Sequence, residues 1–215
     1  MSRLLLVGSL LAALTSSAVA RSFAQPPPAS RAPSAQVERT VDRAAVRAKL
    51  STMRAANLQR FRDYQRAGVF PSNTYLNKKL NVWIDADGHL CAAATIISAS
   101  GMQDLVMQTS EDNNFIRLGD VRDGALMDWI LTSGLTQDEI AAIQEPFMPV
   151  GEPSRSPEPM PIKVAAPART AEDQRLAAKY KQVEQQIVRS ARTSLDIATD
   201  RLMAHPDLAS QFLRS

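Results

Sequence analysis

The chain has 215 residues, a formal net charge of +3 at pH 7, 45% hydrophobic residues and a single cysteine. One cysteine cannot form an internal disulfide, and with only two histidines the chain has too few ligands for a structural zinc site. Glycine is scarce (8 residues) while alanine and leucine are frequent, so we expect a mainly α fold. The sequence contains neither a glycine-rich phosphate loop nor a Gly-x-Ser-x-Gly elbow, and we expect no cofactor and no metal.

The first residues are typical of a secretory signal peptide, 1–20. Arg3 precedes an apolar run, Leu4–Leu14, and a small-x-small cleavage pattern follows at Ala18–Ala20. The run is shorter than the ~20 residues that a bilayer-spanning helix needs. We therefore expect cleavage near Ala20, a periplasmic or secreted protein, and no transmembrane segment after cleavage. Retention of the segment as a membrane anchor is the alternative.

Composition divides the remaining chain into four parts. We expect a Pro/Ala-rich spacer at 21–36, a compact helical domain at 37–147, a Pro-rich linker at 148–168 and a long amphipathic helix at 169–215. Charge is segregated among these parts. Nine basic residues accompany three acidic ones in 31–66, whereas eleven acidic residues accompany two basic ones in 81–147. Either these segments face each other or the solvent, or one of them offers a charged face to a partner.

The domain begins with a predicted helix that ends at Gly68, shortly before Pro71. Six residues at spacings of three and four form its buried stripe: Val46, Leu50, Met53, Asn57, Phe61 and Tyr64. The arginines of this segment, Arg54 among them, are expected on its other faces. The result is a helix with one apolar face and a basic remainder.

The centre of the domain alternates short apolar runs with turns. Asn81–Asp85 has strand character, and its one comparable partner is Asn114–Leu118, so a small antiparallel strand pair is the most β structure we expect. Thr136 and Glu139 form a capping box. Four short helices are predicted, at 90–100, 102–109, 120–131 and 136–143.

The C-terminal segment has the most regular periodicity in the chain. Its apolar stripe comprises Leu176, Tyr180, Val183, Ile187, Ala191, Leu195, Ala198 and Leu202. Thr170 is the expected N-cap, and Pro206 is expected to end the helix. So long a stripe must be covered. We favour the stripe of the first helix as its partner; self-association with a second copy, or another envelope protein, are the alternatives.

The stretch Asp85–Cys91 contains the strongest candidates for catalytic residues in the chain. Cys91 lies at a predicted helix start, where a helix dipole favours thiolate, and this placement resembles the nucleophile position of papain-like and cell-wall amidase cysteine peptidases. Such enzymes need a histidine base, and His89 lies only two residues away, where side chains seldom converge. We favour a small packed residue. A hydrolase that uses Cys91, His89 and Asp85 is the alternative.

Neither metal nor nucleic acid suits this stretch or its neighbours. Asp85-x-Asp87-Gly88 has part of a calcium-loop pattern, but a glycine at the sixth position would make Trp83 the first ligand and Ala94 the twelfth. Neither side chain binds calcium, so we expect a turn in which aspartate caps the next helix. Export also makes nucleic acid an unsuitable partner for the basic segment.

The central block resembles a family of uncharacterised exported bacterial proteins. The resemblance covers roughly residues 55–146. It rests on Asp85-x-x-Gly88-x-x-Cys91-Ala92, Ser100-Gly101, Leu105-Val106, Asn113-Asn114, Arg117, Trp129, Ser133-Gly134-Leu135-Thr136 and Ile143-Gln144. That family has no known activity, so the resemblance implies one domain with Cys91 in its framework. We expect a non-enzymatic envelope or secreted interaction module that binds through the basic helix face or the C-terminal stripe.

Overall fold

A computed structural model describes residues 41–151 and 164–215, and these contain eight α-helices and no sheet. The mainly α fold class is therefore confirmed. The helices are α1 (Arg43–Ala67), α2 (Ala92–Ala99), α3 (Gln103–Asn113), α4 (Gly124–Thr132), α5 (Gln137–Ile143), α6 (Ala166–Arg189), α7 (Ala191–Met203) and α8 (Pro206–Arg214), with a 3-10 turn at Leu118–Asp120. The predicted signal peptide, the spacer and most of the predicted linker lie outside the described residues.

Helix α1 is the central element, and α2, α6, α7 and α8 pack against it. The carboxylate of Asp42 caps it by accepting from the amides of Ala44 (2.8 Å) and Ala45 (3.2 Å). Gly68, with φ 63°, ends it in the left-handed conformation. The predicted stripe is buried, apart from Met53, which is half-buried.

The prediction for Arg54 was wrong. This side chain is buried on the apolar face of α1, four residues after Leu50, and does not lie among the exposed arginines. Spacing alone places Arg54 on that face, because residues four apart in a helix lie one above the other. Its charge favoured an exposed position, but a carboxylate from another helix compensates it, as described below.

The C-terminal stripe forms three consecutive helices where one was predicted. The first break is at Ser190, between α6 and α7, and the second is just before Pro206, which begins α8 and does not end the region. The N-cap prediction was also wrong, because α6 begins at Ala166 and Thr170 lies inside it, donating to the carbonyl of Ala166.

The three C-terminal helices cover α1, as the favoured interpretation of the two stripes predicted. All three contact it, and seven of the eight predicted stripe residues are buried. The exception is Ala191, which follows the break and is half-buried. Tyr180 packs edge-on against Phe61 with ring centroids 5.6 Å apart, and Lys49 of α1 donates to the carbonyl of Phe212 in α8. Across the two breaks between these helices, the C-terminal stripe stays in contact with α1 from α6 to α8.

The central block differs from prediction in its extended segments. Asn81–Asp85 and Asn114–Leu118 do meet, since the amide of Trp83 donates to the carbonyl of Asn114 (2.8 Å). They form no strand pair, because α3 extends to Asn113 and the side chain of Asn114 itself bonds to the backbone of Ile84. Within the described residues, no helix combines the length and apolar character needed to cross a bilayer.

Candidate functional site

Asp85 organises the turn that precedes α2. Its carboxylate is buried, and Oδ1 accepts from the amides of Asp87 (3.0 Å) and His89 (2.8 Å). Oδ2 accepts from the amide of Ser72 (2.9 Å), which belongs to the loop after α1. Gly88 has φ 85°, a conformation that favours glycine. The turn therefore has the geometry expected of an Asx-type turn, and it is tied to a second loop.

The same carboxylate orients His89. The ring nitrogen Nδ1 lies 3.2 Å from Oδ2 of Asp85, and the histidine side chain is 41% exposed. A carboxylate only accepts hydrogen bonds, so Nδ1 must carry the proton and donate. The ring is thus held at the surface by a buried acid, with Nε2 on the side away from that bond.

Cys91 is sealed inside the protein. The residue is 1% exposed, it caps α2, and its sulfur accepts from the amide of Ala94 at 3.5 Å. Burial raises the pKa of the thiol to about 12, although hydrogen bonds from the helix amides act in the opposite direction. The helix start therefore does not activate this thiol, because desolvation outweighs it. Asp85, His89 and Cys91 are close in sequence, but the acid and the imidazole pair with each other.

Asp85, Asp87 and His89 also form a cluster that could be considered for a metal. One ligand atom from each can be chosen so that all lie within 4.8 Å of one another. Both oxygens of Asp85 already accept backbone hydrogen bonds, however, and a cation on this carboxylate would compete with the amides that shape the turn. The cluster therefore fits a turn better than a metal site.

A surface pocket opens beside this turn. We call it the His89 pocket; its volume is about 460 Å³, and it lies between the C-terminal end of α1, the turn and α2. Its lining is mostly apolar and comprises Arg60, Asp63, Tyr64, Ala67, Val69, Gly88, His89, Leu90, Thr95 and Ala99. A volume of this size is within the ~300–1,000 Å³ range of ligand pockets. Apolar walls with a few polar groups at the rim are what a binding site requires.

A buried ion pair on the other side of α1 escaped the sequence analysis. Arg54 donates to both oxygens of Glu139 (2.8 and 2.7 Å) and also to the carbonyls of Gly134 and Ile187. Burial by itself raises the pKa of Glu139, but hydrogen bonds from Arg54 and the Thr136 amide more than offset this, and the pKa is lowered. The position of Arg54 in the stripe was the signal that could have revealed the pair.

Comparisons of the chain with protein-family models, with curated proteins and with solved structures found no match. The resemblance to a family of exported bacterial proteins therefore stays a prediction, and the functional argument depends on the site itself.

Proposed function

We propose that this protein is a non-enzymatic, exported interaction module, periplasmic or secreted, that holds a protein partner in the His89 pocket. The observation that carries the proposal is the pocket itself, an open and largely apolar concavity of about 460 Å³. Its rim includes Val69, which is 50% exposed. An apolar side chain of a partner would bury this surface and gain hydrophobic free energy.

The two docking surfaces expected from sequence are less suitable. The C-terminal stripe is covered by α1, so it is not available to a partner in the folded chain. The basic face of α1 is also occupied. Arg43, Arg47 and Arg62 pair with Asp200, Asp196 and Glu184 of the C-terminal helices. Part of the basic charge of α1 is therefore used in ion pairs within the protein, which help to align α6 and α7 on α1.

The alternative, a cell-envelope hydrolase with Cys91 as nucleophile, has less support. A thiol nucleophile acts as thiolate and must reach its substrate. Cys91 is 1% exposed, burial raises its pKa to about 12, and the ring of His89 pairs with Asp85. A binding role uses the same turn without requiring the sulfur to become accessible.

Photo-crosslinking in the native cell envelope tests the proposal. A benzophenone amino acid replaces Val69 in one protein and Val188 in the other. The two positions are matched, with exposures of 50% and 48%, but Val188 lies on α6 and does not line the His89 pocket. We expect a defined partner adduct from position 69 only. Filling the pocket through Ala67→Trp should remove that adduct.

Equal adducts from both positions, or an adduct at 69 that survives Ala67→Trp, would contradict the proposal. Thermal unfolding of the Ala67→Trp protein shows whether the fold is retained. Ala67 is exposed at the last position of α1, so a larger side chain there does not have to displace core atoms.

A further inference from the structure

The arginines of α1 differ in one respect that bears on the His89 pocket. Within the described residues, five of the six have a carboxylate within ion-pairing distance, and Arg60 does not. Arg60 is also the arginine of α1 that lines the pocket. Among the described arginines of α1, the one without a carboxylate partner therefore lies at the His89 pocket.

Two neutral acceptors hold the Arg60 guanidinium in place. Nε donates to the carbonyl of Ala99 (3.1 Å) and Nη1 donates to Oδ1 of Asn57 (2.7 Å), itself a buried side chain. Neither acceptor carries a charge, so neither compensates the positive charge of the guanidinium. Among the described residues Nη2 makes no hydrogen bond, and it is available to an acceptor from outside. The group is thus positioned in advance, which lowers the entropic cost of binding.

The one carboxylate at the rim does not cancel this charge. Asp63 accepts from the side chain of Arg66 and from the side-chain amide Nε2 of Gln59 (2.9 Å), both on α1. It is therefore already compensated. Apolar walls beside Arg60 suit a ligand that has an apolar part and an anionic end. A guanidinium held in a fixed position binds a carboxylate well.

We infer that the His89 pocket takes an apolar side chain of a partner polypeptide together with a neighbouring carboxylate, which Arg60 binds. The inference rests on the proposed function and adds the chemical character of the partner segment. The carboxylate is either an acidic side chain or the C-terminus of the partner. A mixed apolar and acidic segment is specified because apolar residues alone would leave Arg60 without an anion.

Two fragments that differ only in charge test this inference with the whole protein. N-acetyl-phenylalanine carries a carboxylate beside an aromatic side chain, and N-acetyl-phenylalaninamide carries a neutral amide in its place. Titration is followed by backbone amide NMR shifts. We expect both fragments to shift the amides around Gly88–Thr95 and Tyr64–Val69, and the acid to bind about two- to fivefold more tightly, as for a partly exposed ion pair.

The variant Arg60→Gln should remove the preference for the acid, so that the acid and the amide bind equally. Arg62→Gln is the matched control. It removes the same charge two residues away, where the side chain pairs with Glu184, and it should keep the preference. Decanoate has the same anionic end on an acyl chain, and it tests whether the occupant of the pocket is a lipid.

Equal binding of acid and amide by the wild type, or a preference that survives Arg60→Gln, would overturn the inference and leave the proposed function standing. Decanoate binding more than tenfold tighter than N-acetyl-phenylalanine would also overturn it, since the occupant would then be a lipid. If no fragment shifts the pocket amides, both the inference and the proposed pocket fail.

Discussion

Two turns of this protein share the same two features, a glycine and an acid, but differ in their surroundings. The turn Asp85–Cys91 precedes α2, and the turn Ser133–Glu139 leads into α5. Each contains a glycine with positive φ, Gly88 at 85° and Gly134 at 76°. Each also has a carboxylate that accepts backbone amides. The first turn borders the His89 pocket and has open space around its glycine, whereas the glycine of the second turn is packed tightly against α1.

The difference lies in what each turn touches. A Cβ on Gly134 would come within 2.2 Å of the Leu50 carbonyl oxygen, whereas a Cβ on Gly88 would meet no atom within 4 Å. Glu139 in turn pairs with buried Arg54, while Asp85 pairs with a half-buried histidine. Similar local chemistry therefore anchors the core against α1 in one place and shapes one wall of the His89 pocket in the other.

The largest effect is expected from adding a methyl group to each glycine. Gly134→Ala should destabilise the protein by more than about 4 kcal/mol, because the Cβ overlaps the backbone of α1. Gly88→Ala should cost only about 1–2 kcal/mol, the penalty for a left-handed residue in open space. Urea unfolding measures both. Similar free energies of unfolding for the two variants would remove the contrast between the turns.

A smaller effect is expected when each carboxylate is replaced by its amide. Glu139→Gln should lower the free energy of unfolding by about 3 kcal/mol or more, because it leaves the Arg54 charge buried and unpaired. Asp85→Asn should cost about 1–2 kcal/mol, since one amide acceptor is lost but the histidine is partly solvated. The reverse order in urea unfolding would contradict the contrast.

The pH dependence of the free energy of unfolding provides a second test of the Glu139 variant. The pKa of Glu139 is lowered in the folded state from its usual value of 4.5. Its contribution to stability is present above the unfolded pKa and is lost as the pH falls through the folded pKa. We therefore expect the wild type to lose stability below about pH 4.5, and Glu139→Gln to lose less of it over this range than the wild type does.

The last prediction concerns the accessibility of the Cys91 thiol at the start of α2, and it involves no change in stability. At pH 8 about one Cys91 thiol in ten thousand is ionised, given a pKa of about 12. Iodoacetamide should therefore leave Cys91 unlabelled in the folded wild type and label it only after unfolding. The control is Thr95→Cys in a Cys91→Ala background, because Thr95 lines the pocket one turn later. Rapid labelling of native Cys91 would restore the hydrolase hypothesis.

Much of the fold could be predicted from local patterns. The stripe of α1, its end at Gly68 and the four central helices all follow from spacing and turn residues. The capping box at Thr136 is present with both of its hydrogen bonds, 3.2 Å from the Glu139 amide to the threonine hydroxyl and 2.9 Å from the Thr136 amide to the Glu139 carboxylate. These features depend on residues within a few positions of one another.

The errors concern contacts between distant residues. Arg54 is buried because Glu139, 85 positions away, compensates its charge. At the unpredicted break between α6 and α7, the hydroxyl of Ser190 donates to the same Glu139 carboxylate (3.1 Å). The expected strand pair fails because Asn114 satisfies the backbone of Ile84 with its side chain. A periodic pattern carries no information about such partners.

The helical class, the apolar stripes and the acid-glycine turns follow from local sequence, since each arises from periodicity or from the conformational freedom of single residues. Which charges are compensated, and where a pocket remains open, depends on how the helices pack. Cys91 is buried in the core, and Arg60 lies at the His89 pocket without an ion-pair partner among the described residues. Burial and ion pairing depend on which helices meet, and that is a property of the whole packed chain.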